Sequence, residues 1–431
     1  MISSSEDVSS PPIAAPTATT GRGALLAVGG FFALKATLGF LILAISVKRL
    51  SVAEFASFSQ LFLYLALVSS VASGGVQNGV VREIAAAEGD PRREQRVVLG
   101  GTLVWAGVAL LITLVALAFQ RPIATVLVGD RGVGHMVVSL TVIALLSGIG
   151  TLLCSALSGK GRAPFSLGIQ GLGLLIGGAL CIERLWRGDG AHAVLFYALG
   201  PLLGTILATA ASRDWFARSH ARWAEAREAA IDLIGYSGTF LVVVSVLPLV
   251  LFGVRYVYRI EFGAELLGYW LLANRASDVT TQVVGLYLSQ VYLPQATRSR
   301  NAEERLRLIR RTIALGVGVA GAGVAVFAVA SDPIISLLLS ERYRPAVPFV
   351  LGYLVGDMFR VGGNVALFTA LAARRLVMFV SIETALALLV GAAILVGIAL
   401  GHPAAAYWGY LAAHATAFVL VLLTMRRLAR L

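Results

Sequence analysis

The chain has 431 residues, of which 58% are hydrophobic and only 13% are charged, and its mean hydropathy is +0.84. These values exclude a soluble globular domain, because helices that are apolar on every side need lipid or protein around them. The net charge of +12 does not indicate nucleic-acid binding here, because the arginines cluster in short loops between apolar segments, as topology signals do.

The start of the chain, residues 1–22, is rich in Ser, Thr, Pro and Ala. This composition predicts a disordered cytoplasmic tail. A cleaved signal peptide is not expected, because the first 20 residues carry no basic residue and the apolar run that follows is too long.

Apolar windows of membrane length recur along the rest of the chain. A helix needs about 20 such residues to cross a hydrocarbon core of about 30 Å. We place about twelve segments, near 24–47, 55–80, 97–119, 136–157, 165–183, 192–212, 231–253, 263–293, 312–339, 346–372, 376–399 and 403–425. The pattern predicts an all-α polytopic membrane protein.

Basic residues in the connecting loops predict the orientation. The loops on the side of both termini hold 22 Lys and Arg residues, and the loops on the other side hold 10. The smaller set is Lys48, Arg49, Arg121, Arg131, Arg184, Arg187, Arg255, Arg259, Arg342 and Arg344. Because cytoplasmic loops carry the excess of positive charge, both termini are predicted to be cytoplasmic.

The longest cytoplasmic connection divides the chain about in half. Its Trp215, Phe216 and Trp223 lie among arginines, which predicts an amphipathic helix at the headgroup level. Two six-helix bundles that face each other across a cavity are typical of transporters built from repeats. We therefore expect an N-terminal bundle over 23–212, a linker over 213–230 and a C-terminal bundle over 231–431.

Three basic residues, Lys35, Arg275 and Arg360, lie near the middle of apolar segments. A charge at the centre of a membrane helix costs roughly 2.5–3.5 kcal/mol, so such residues usually face a polar cavity. Lys35 is roughly 20 Å from either flank of its segment, which is too far for easy snorkelling. The trio predicts a cationic cavity wall and an anionic cargo. Two guanidinium forks suit a pyrophosphate, because each can bind phosphate oxygens bidentately.

Carboxylates accompany these cations. Asp278 follows Arg275 by one helical turn, and Asp357 precedes Arg360 by one turn, so each pair could neutralise itself or hold its arginine ready for an anion. Glu383, inside the eleventh segment, could be a structural partner of a basic residue or take part in proton coupling. Metal-ligand spacing and nucleotide-binding motifs are missing from the sequence, so no cofactor is expected. Coupling to protons or sodium stays open.

Uncharged polar residues also lie within the apolar segments. They could contact the hydroxyl groups of a sugar, or they could join helices by hydrogen bonds. The candidates for substrate contact are Gln60, Asn78 and Asn364.

Several stretches resemble one known family, and they do so in the family's order. VKRLSVAEFASFSQLFLYLALVSSVASGGVQNGVVREIAAAEGD resembles the second-helix region of Wzx-type O-antigen and enterobacterial common antigen flippases. LCSALSGKGR resembles their fourth-helix exit, and GYWLLANRASDVTTQVVGLYLSQVYLPQATR resembles their eighth helix. GDMFRVGGNVALFTALAARRLVMFVSIE resembles the tenth helix and the start of the eleventh. The likeness is spread over most of residues 24–425.

The resemblance implies the fold of the multidrug/oligosaccharidyl-lipid/polysaccharide (MOP) exporters and a place in the bacterial inner membrane. It implies transport, by alternating access, of undecaprenyl-pyrophosphate-linked oligosaccharide for O-antigen, common antigen or exopolysaccharide synthesis. A polymerase and a chain-length regulator of the same pathway are candidate partners, beside the membrane lipids. The positions that match charged intramembrane positions of the family are Lys35, Arg275, Asp278, Asp357, Arg360 and Glu383.

Two other functions stay open at this point. A cation-coupled drug exporter of the same superfamily would need a net acidic cavity, whereas the intramembrane trio is basic. A polysaccharide polymerase or ligase would need a long periplasmic loop with catalytic residues. The longest external candidate, QRPIATVLVGDRGVGH, is short and thinly charged, so we do not expect an enzyme.

Overall fold

The structure is a computed structural model, and it describes residues 21–72, 75–87, 90–217, 223–299, 301–373 and 375–430. Nearly all of the predicted tail over 1–22 therefore lies outside the described residues. The helices are α1 Gly21–Arg49, α2 Val52–Ala72, α3 Gln77–Ala86, α4 Pro91–Val128, α5 Gly134–Gly159, α6 Ala163–Trp186, α7 Gly190–Ala211, α8 Arg213–Ala217, α9 Trp223–Tyr287, α10 Leu293–Arg298, α11 Ala302–Pro333, α12 Val347–Ala372, α13 Leu376–Ala399 and α14 Ala405–Leu428. No strand occurs in these ranges, so the all-α prediction is confirmed.

Ten helical segments in the described part of the chain are long and apolar enough to cross a bilayer. The 65-residue α9 adds the predicted seventh and eighth segments, because it is interrupted at Gly263. Gly263 has φ +88° and ψ 168°, a backbone conformation that is open almost only to glycine. Each of the roughly twelve segments predicted from hydropathy thus corresponds to a helix or to part of one.

The helices pack in two groups that meet along α9. In the first group α6 packs against α1 and α7, and α5 packs against α4 and α7. In the second group α14 packs against α12 and α13, and α11 packs against α12. The helix α9 packs against α12 and α13 of its own group and also against α2 and α4. The second half of the chain therefore contacts the first half through α9, which packs against α2 and α4.

Small residues allow the closest helix approaches, as between α6 and α7. An added Cβ on Gly200 of α7 would lie 2.1 Å from the carbonyl oxygen of Gly173, and one on Gly177 would lie 2.4 Å from that of Tyr197. Only glycine permits these backbones to come so near, which is how membrane helices gain packing energy.

One end of the molecule, remote from α8 and from the start of α9, holds the turns after α1 and α4 and the break at Gly263. We refer to it as the distal end. Here Arg342 donates hydrogen bonds to the carbonyl oxygens of Leu50 (3.0 Å) and Lys48 (3.3 Å) at the end of α1. The ring of Tyr343 meets the ring of Phe55 edge-on at 5.7 Å between centroids. These contacts join the two halves at the distal end, and we call the distal end closed in this sense.

The linker differs in part from its prediction. Trp215 is buried rather than placed at the headgroup level, and its indole Nε1 donates to Glu94 Oε2 at 3.0 Å. Lys160 Nζ donates to the same oxygen at 2.7 Å. The buried Glu94 carboxylate needs donors, and this need draws the indole inward. Phe216 and Trp223 are exposed, as an amphipathic segment requires.

Candidate functional site

A central cavity of about 290 Å³ lies between the two groups of helices. α2 forms one wall with apolar side chains and Ser70, and α9, α12, α13 and α14 form the others. Its charged lining residues are Arg255, Arg275, Asp278, Arg360 and Glu383. The tertiary structure thus brings together four of the six charged residues that the sequence singled out, although they belong to three different helices.

Arg255 is a cavity residue, and its prediction as part of a loop on the external side was wrong. The side chain is 3% exposed and lines the cavity, where its Nη2 donates to Asn274 Oδ1 at 2.9 Å. Its Nε has no hydrogen-bond partner among the described residues. Arg259 and Glu261 follow closely along the chain, and such closely spaced charges are typical of the end of a membrane segment. The apolar residues around Arg255 were the signal that could have corrected this.

Arg275 lies at the seam between the halves. Its Nη1 is 3.5 Å from Asp278 Oδ2, which is the ion pair that the i,i+3 spacing predicted. The guanidinium also lies over the ring of Phe62 on α2, 5.1 Å from the ring centroid. A cation–π contact of this kind supports a charge that is partly removed from water. Asp278 remains about half exposed toward the cavity.

Arg360 and Asp357 do not pair directly, although they are one turn apart. Arg360 Nη1 donates to the phenol oxygen of Tyr410 at 3.3 Å, and Tyr410 in turn donates to Asp357 Oδ1 at 2.7 Å. Ser277 donates to the same Asp357 oxygen at 2.8 Å. Asp357 is buried behind the cavity wall, and its Oδ2 has no partner in the described ranges. The phenol therefore separates the two charges and leaves the Arg360 fork facing the cavity.

Aromatic side chains pack around Tyr410, which lines the cavity. Tyr353 stacks on Tyr410 at 4.1 Å between ring centroids, and Trp270 Nε1 donates to the Tyr353 hydroxyl. His414 meets the Tyr410 ring edge-on at 4.3 Å. These four residues were not predicted to lie at the cavity, because the sequence of an apolar helix does not show what an aromatic side chain in it faces.

The other predicted site residues divide into two sets. Glu383 and Asn364 line the cavity. Lys35 does not: it is exposed on α1 and is absent from the lining, because α1 packs mainly against α6 rather than against α9. Gln60 also lies outside the lining and is 1% exposed, with no partner for either amide atom among the described residues. The side chain of Asn78 lies outside the described residues.

The charge distribution in the cavity favours an anion. Within the described chain, no carboxylate oxygen lies within 4 Å of the guanidinium nitrogens of Arg255 or Arg360. A buried charge costs several kcal/mol unless attraction and hydrogen bonds compensate it. Two guanidinium groups that share one cavity and lack a direct counter-charge can therefore gain free energy by binding a ligand with negative oxygens.

Comparisons with known proteins show the family of the chain. A family model described as polysaccharide biosynthesis protein matches residues 47–348. The lipid III flippase of Escherichia coli (strain K12) is 25% identical over 344 residues, which cover 79% of this chain and 82% of that protein. The lipid III flippase of Shigella flexneri matches to the same extent.

Two solved structures show the same fold. The lipid II flippase MurJ, in an inward closed conformation, matches with a TM-score of 0.71 at 12% identity, over 93% of this chain and 87% of that chain. An inward-facing MATE-family multidrug resistance transporter of the MOP superfamily matches with a TM-score of 0.68 at 14% identity, over 94% of this chain and 98% of that chain. The MOP-exporter fold predicted from the sequence is confirmed.

Proposed function

The chain belongs to the polysaccharide biosynthesis protein family, and from this premise we propose that it is a flippase for undecaprenyl-pyrophosphate-linked oligosaccharides. It is a multi-pass membrane protein with the fold of the MOP transporters, and its relatives are flippases and transporters rather than enzymes. The lipid III and lipid II flippases both carry lipid-linked cargo by name. In this proposal the cargo serves O-antigen, common antigen or exopolysaccharide synthesis.

One observation carries the proposal: Arg255 and Arg360 lie in one cavity, and neither has a carboxylate partner within 4 Å among the residues that the structure describes. In the proposed complex the two forks bind the pyrophosphate, and Arg275 moves from Asp278 to the same anion. Asn364 contacts the sugars, and the polyprenyl chain stays in lipid. Lys35, Gln60 and Asn78 remain predicted substrate contacts, with Lys35 and Gln60 outside the cavity that this conformation forms.

The proposed transport cycle is alternating access in the bacterial inner membrane, with both termini in the cytoplasm. The distal end is then periplasmic, and its closure by Arg342 and Tyr343 belongs to the state that accepts cargo from the cytoplasmic side. Arg255 lies in the cavity and does not count among the external loop arginines. The external side therefore has fewer positive charges than the sequence predicted, which supports this orientation.

The switch between states needs a difference in affinity for cargo or for a coupling ion. We propose that Asp278, Asp357 and Glu383 provide it by binding a proton or a sodium ion. Asp357 suits this role, because its buried Oδ2 has no partner in the part of the chain that the structure describes. A polymerase and a chain-length regulator are the proposed partners downstream.

The test uses the full-length protein in liposomes that contain undecaprenyl-pyrophosphate-linked oligosaccharide in one leaflet. The exposure of the sugar to a membrane-impermeant lectin on the other side measures its movement. We expect rapid movement of this lipid and none of an undecaprenyl-linked glycan without phosphate. Equal movement of both lipids would contradict the anion role, and uptake of organic cations with neither lipid moved would favour the drug exporter.

A further inference from the structure

A second cavity opens at the distal end, separate from the central one. It has a volume of about 910 Å³ and lies between the end of α4, the start of α5 and α9, which contributes Tyr256. Its charged lining residues are Arg121 and Arg131, and His135 and Gln120 add polar groups. The residues that line it include no carboxylate.

The shape of this distal cavity follows from the backbone of α4. The helix is interrupted at Phe119 (φ −114°, ψ 19°) and contains Pro122 one turn later. A proline in a helix removes one hydrogen bond and bends the axis. The bend turns the last part of α4 away from its earlier course, so Arg121 and Thr125 face the space that Tyr256 encloses from the other side.

The two arginines lack a counter-charge in direct contact within the part of the chain that the structure describes. Neither takes part in any ion pair within 4 Å among the described residues. The nearest carboxylate in the sequence, that of Asp130, accepts a hydrogen bond from the backbone of Gly132 at 2.7 Å and so caps its own turn. Two guanidinium groups that have no ion-pair partner in the described ranges, beside the amide of Gln120, form a set of donors that suits a phosphate.

The position of the distal cavity selects the source of that phosphate. It lies where α4 ends and α5 begins, and both helices are long and apolar enough to cross a bilayer. Their ends are therefore expected near the lipid headgroups, a level at which tyrosine, the residue type at position 256, is enriched. We propose that the distal cavity binds the phosphate of an anionic membrane lipid in the leaflet at this end. The binding site itself does not depend on the transported cargo.

A lipid bound here would also act on the closure of the distal end. Arg259, which lies near the Tyr256 ring, donates to the carbonyl oxygen of Thr125, and Thr125 lines the distal cavity. Gly129, with φ +80°, makes room for this arginine, since an added Cβ would lie 2.9 Å from its Cζ. A headgroup between Arg121 and Tyr256 therefore bridges both halves where they already touch, and it stabilises the closed distal end. This consequence, unlike the site, rests on the proposed transport cycle.

Native mass spectrometry of the full-length protein in detergent tests the site directly. The protein is titrated with phosphatidylglycerol, with phosphatidylcholine and with inorganic phosphate, and the retained ligands are counted. We expect selective retention of phosphatidylglycerol, and a fall of roughly tenfold or more in its affinity in the double variant Arg121→Gln/Arg131→Gln, as loss of about 1.4 kcal/mol would give. The matched control, Arg49→Gln/Arg187→Gln, removes the same charge from exposed distal residues outside the cavity and should bind as the parent does.

Unchanged phosphatidylglycerol binding in the first double variant, or an equal loss in the control, would overturn the site. Displacement of the lipid by millimolar inorganic phosphate would overturn the assignment to a lipid and indicate a soluble anion. The measurement requires no transport, so failure of the flippase proposal leaves its result intact. Conversely, loss of lipid binding in a variant that still moves cargo would leave the proposed function standing.

Discussion

The cavity arginines differ in what holds them. Arg275 has a carboxylate at 3.5 Å and an aromatic ring, whereas Arg255 has one amide oxygen and an aromatic ring at 5.6 Å, and Arg360 has one phenol. A neutral acceptor orients a guanidinium without cancelling its charge, so Arg255 and Arg360 keep more of their attraction for an anion. In the proposed cycle these two should therefore dominate binding of the pyrophosphate.

Replacing Arg255 or Arg360 with Ala is expected to reduce export of the glycan at least about tenfold, the change that corresponds to about 1.4 kcal/mol of lost binding. Arg275→Ala should also reduce export, but by less, because Asp278 already offsets part of the Arg275 charge. Lysine at the same positions should rescue only in part, because a point charge cannot supply the guanidinium fork. Surface glycan is measured in cells, with the abundance of each variant in the membrane as the control. Full export by the alanine variants at normal abundance would remove the anion role.

The Tyr410 hydroxyl connects Arg360 to the buried Asp357. Tyr410→Phe removes this link and leaves the Asp357 carboxylate with Ser277 as its side-chain donor among the described residues. Loss of a hydrogen bond to a buried charged group costs about 1.5–3 kcal/mol, so we expect a lower melting temperature and slower transport. Tyr407→Phe on the same helix is the matched control, since no hydrogen bond of its hydroxyl is seen in the described structure. Equal melting temperatures of the two variants would show that the link contributes nothing.

Packing between whole helices depends on glycines, and these glycines differ in how closely a neighbouring helix approaches them. Gly200 of α7 faces the backbone of α6, whereas Gly168 of α6 has no atom within 4 Å of an added Cβ. The two positions have the same residue type, and each follows a leucine. Only the tertiary contact distinguishes them.

Gly200→Val should separate α6 from α7 and lower the melting temperature and the yield of folded protein. Gly168→Val should change both little. Thermal unfolding followed by size-exclusion chromatography gives the comparison. Overpacking of a close contact costs typically 1–3 kcal/mol, which is large beside the marginal stability of most proteins. Similar losses in both variants would point to helix propensity rather than to packing.

The two halves of the whole molecule are held at the distal end by arginines from the second half that bind carbonyl oxygens at helix ends of the first. Arg342 reaches the end of α1, and Arg259 reaches the last turn of α4. The C-terminal carbonyls of a helix lack partners within it, and they attract cations. Such contacts can break and re-form without the loss of a buried ion pair, as a transporter that alternates between states requires.

Arg342→Ala should shift the molecule toward states with an open distal end. Val52, which is buried there and packs on Gly268, provides a reporter when it is replaced by Cys, since Cys154 and Cys181 are buried. We expect faster labelling of this cysteine by a membrane-impermeant maleimide in the Arg342→Ala background. Arg344→Ala is the control, because Arg344 pairs only with Asp332 and Glu341 of its own half in the described structure. Equal labelling rates would show that Arg342 does not hold the end closed.

The sequence by itself determined the class of protein, the helical segments and most of the charged groups of the cavity. These properties are local: about 20 apolar residues must span the bilayer, and a charge inside such a segment is too costly to be incidental. Glu383, Arg275, Asp278 and Arg360 could therefore be found without knowing their neighbours.

Which of these charged groups lie together depends on the tertiary structure. The side that a helix turns toward the cavity depends on its packing, which hydropathy does not record when the helix is apolar all round. For this reason Lys35 fell outside the cavity and Arg255 inside it, and Tyr410 came between Arg360 and Asp357. The same holds for the closed distal end, because residues such as Arg342 and Leu50 that are far apart in the chain meet only after the two halves have packed.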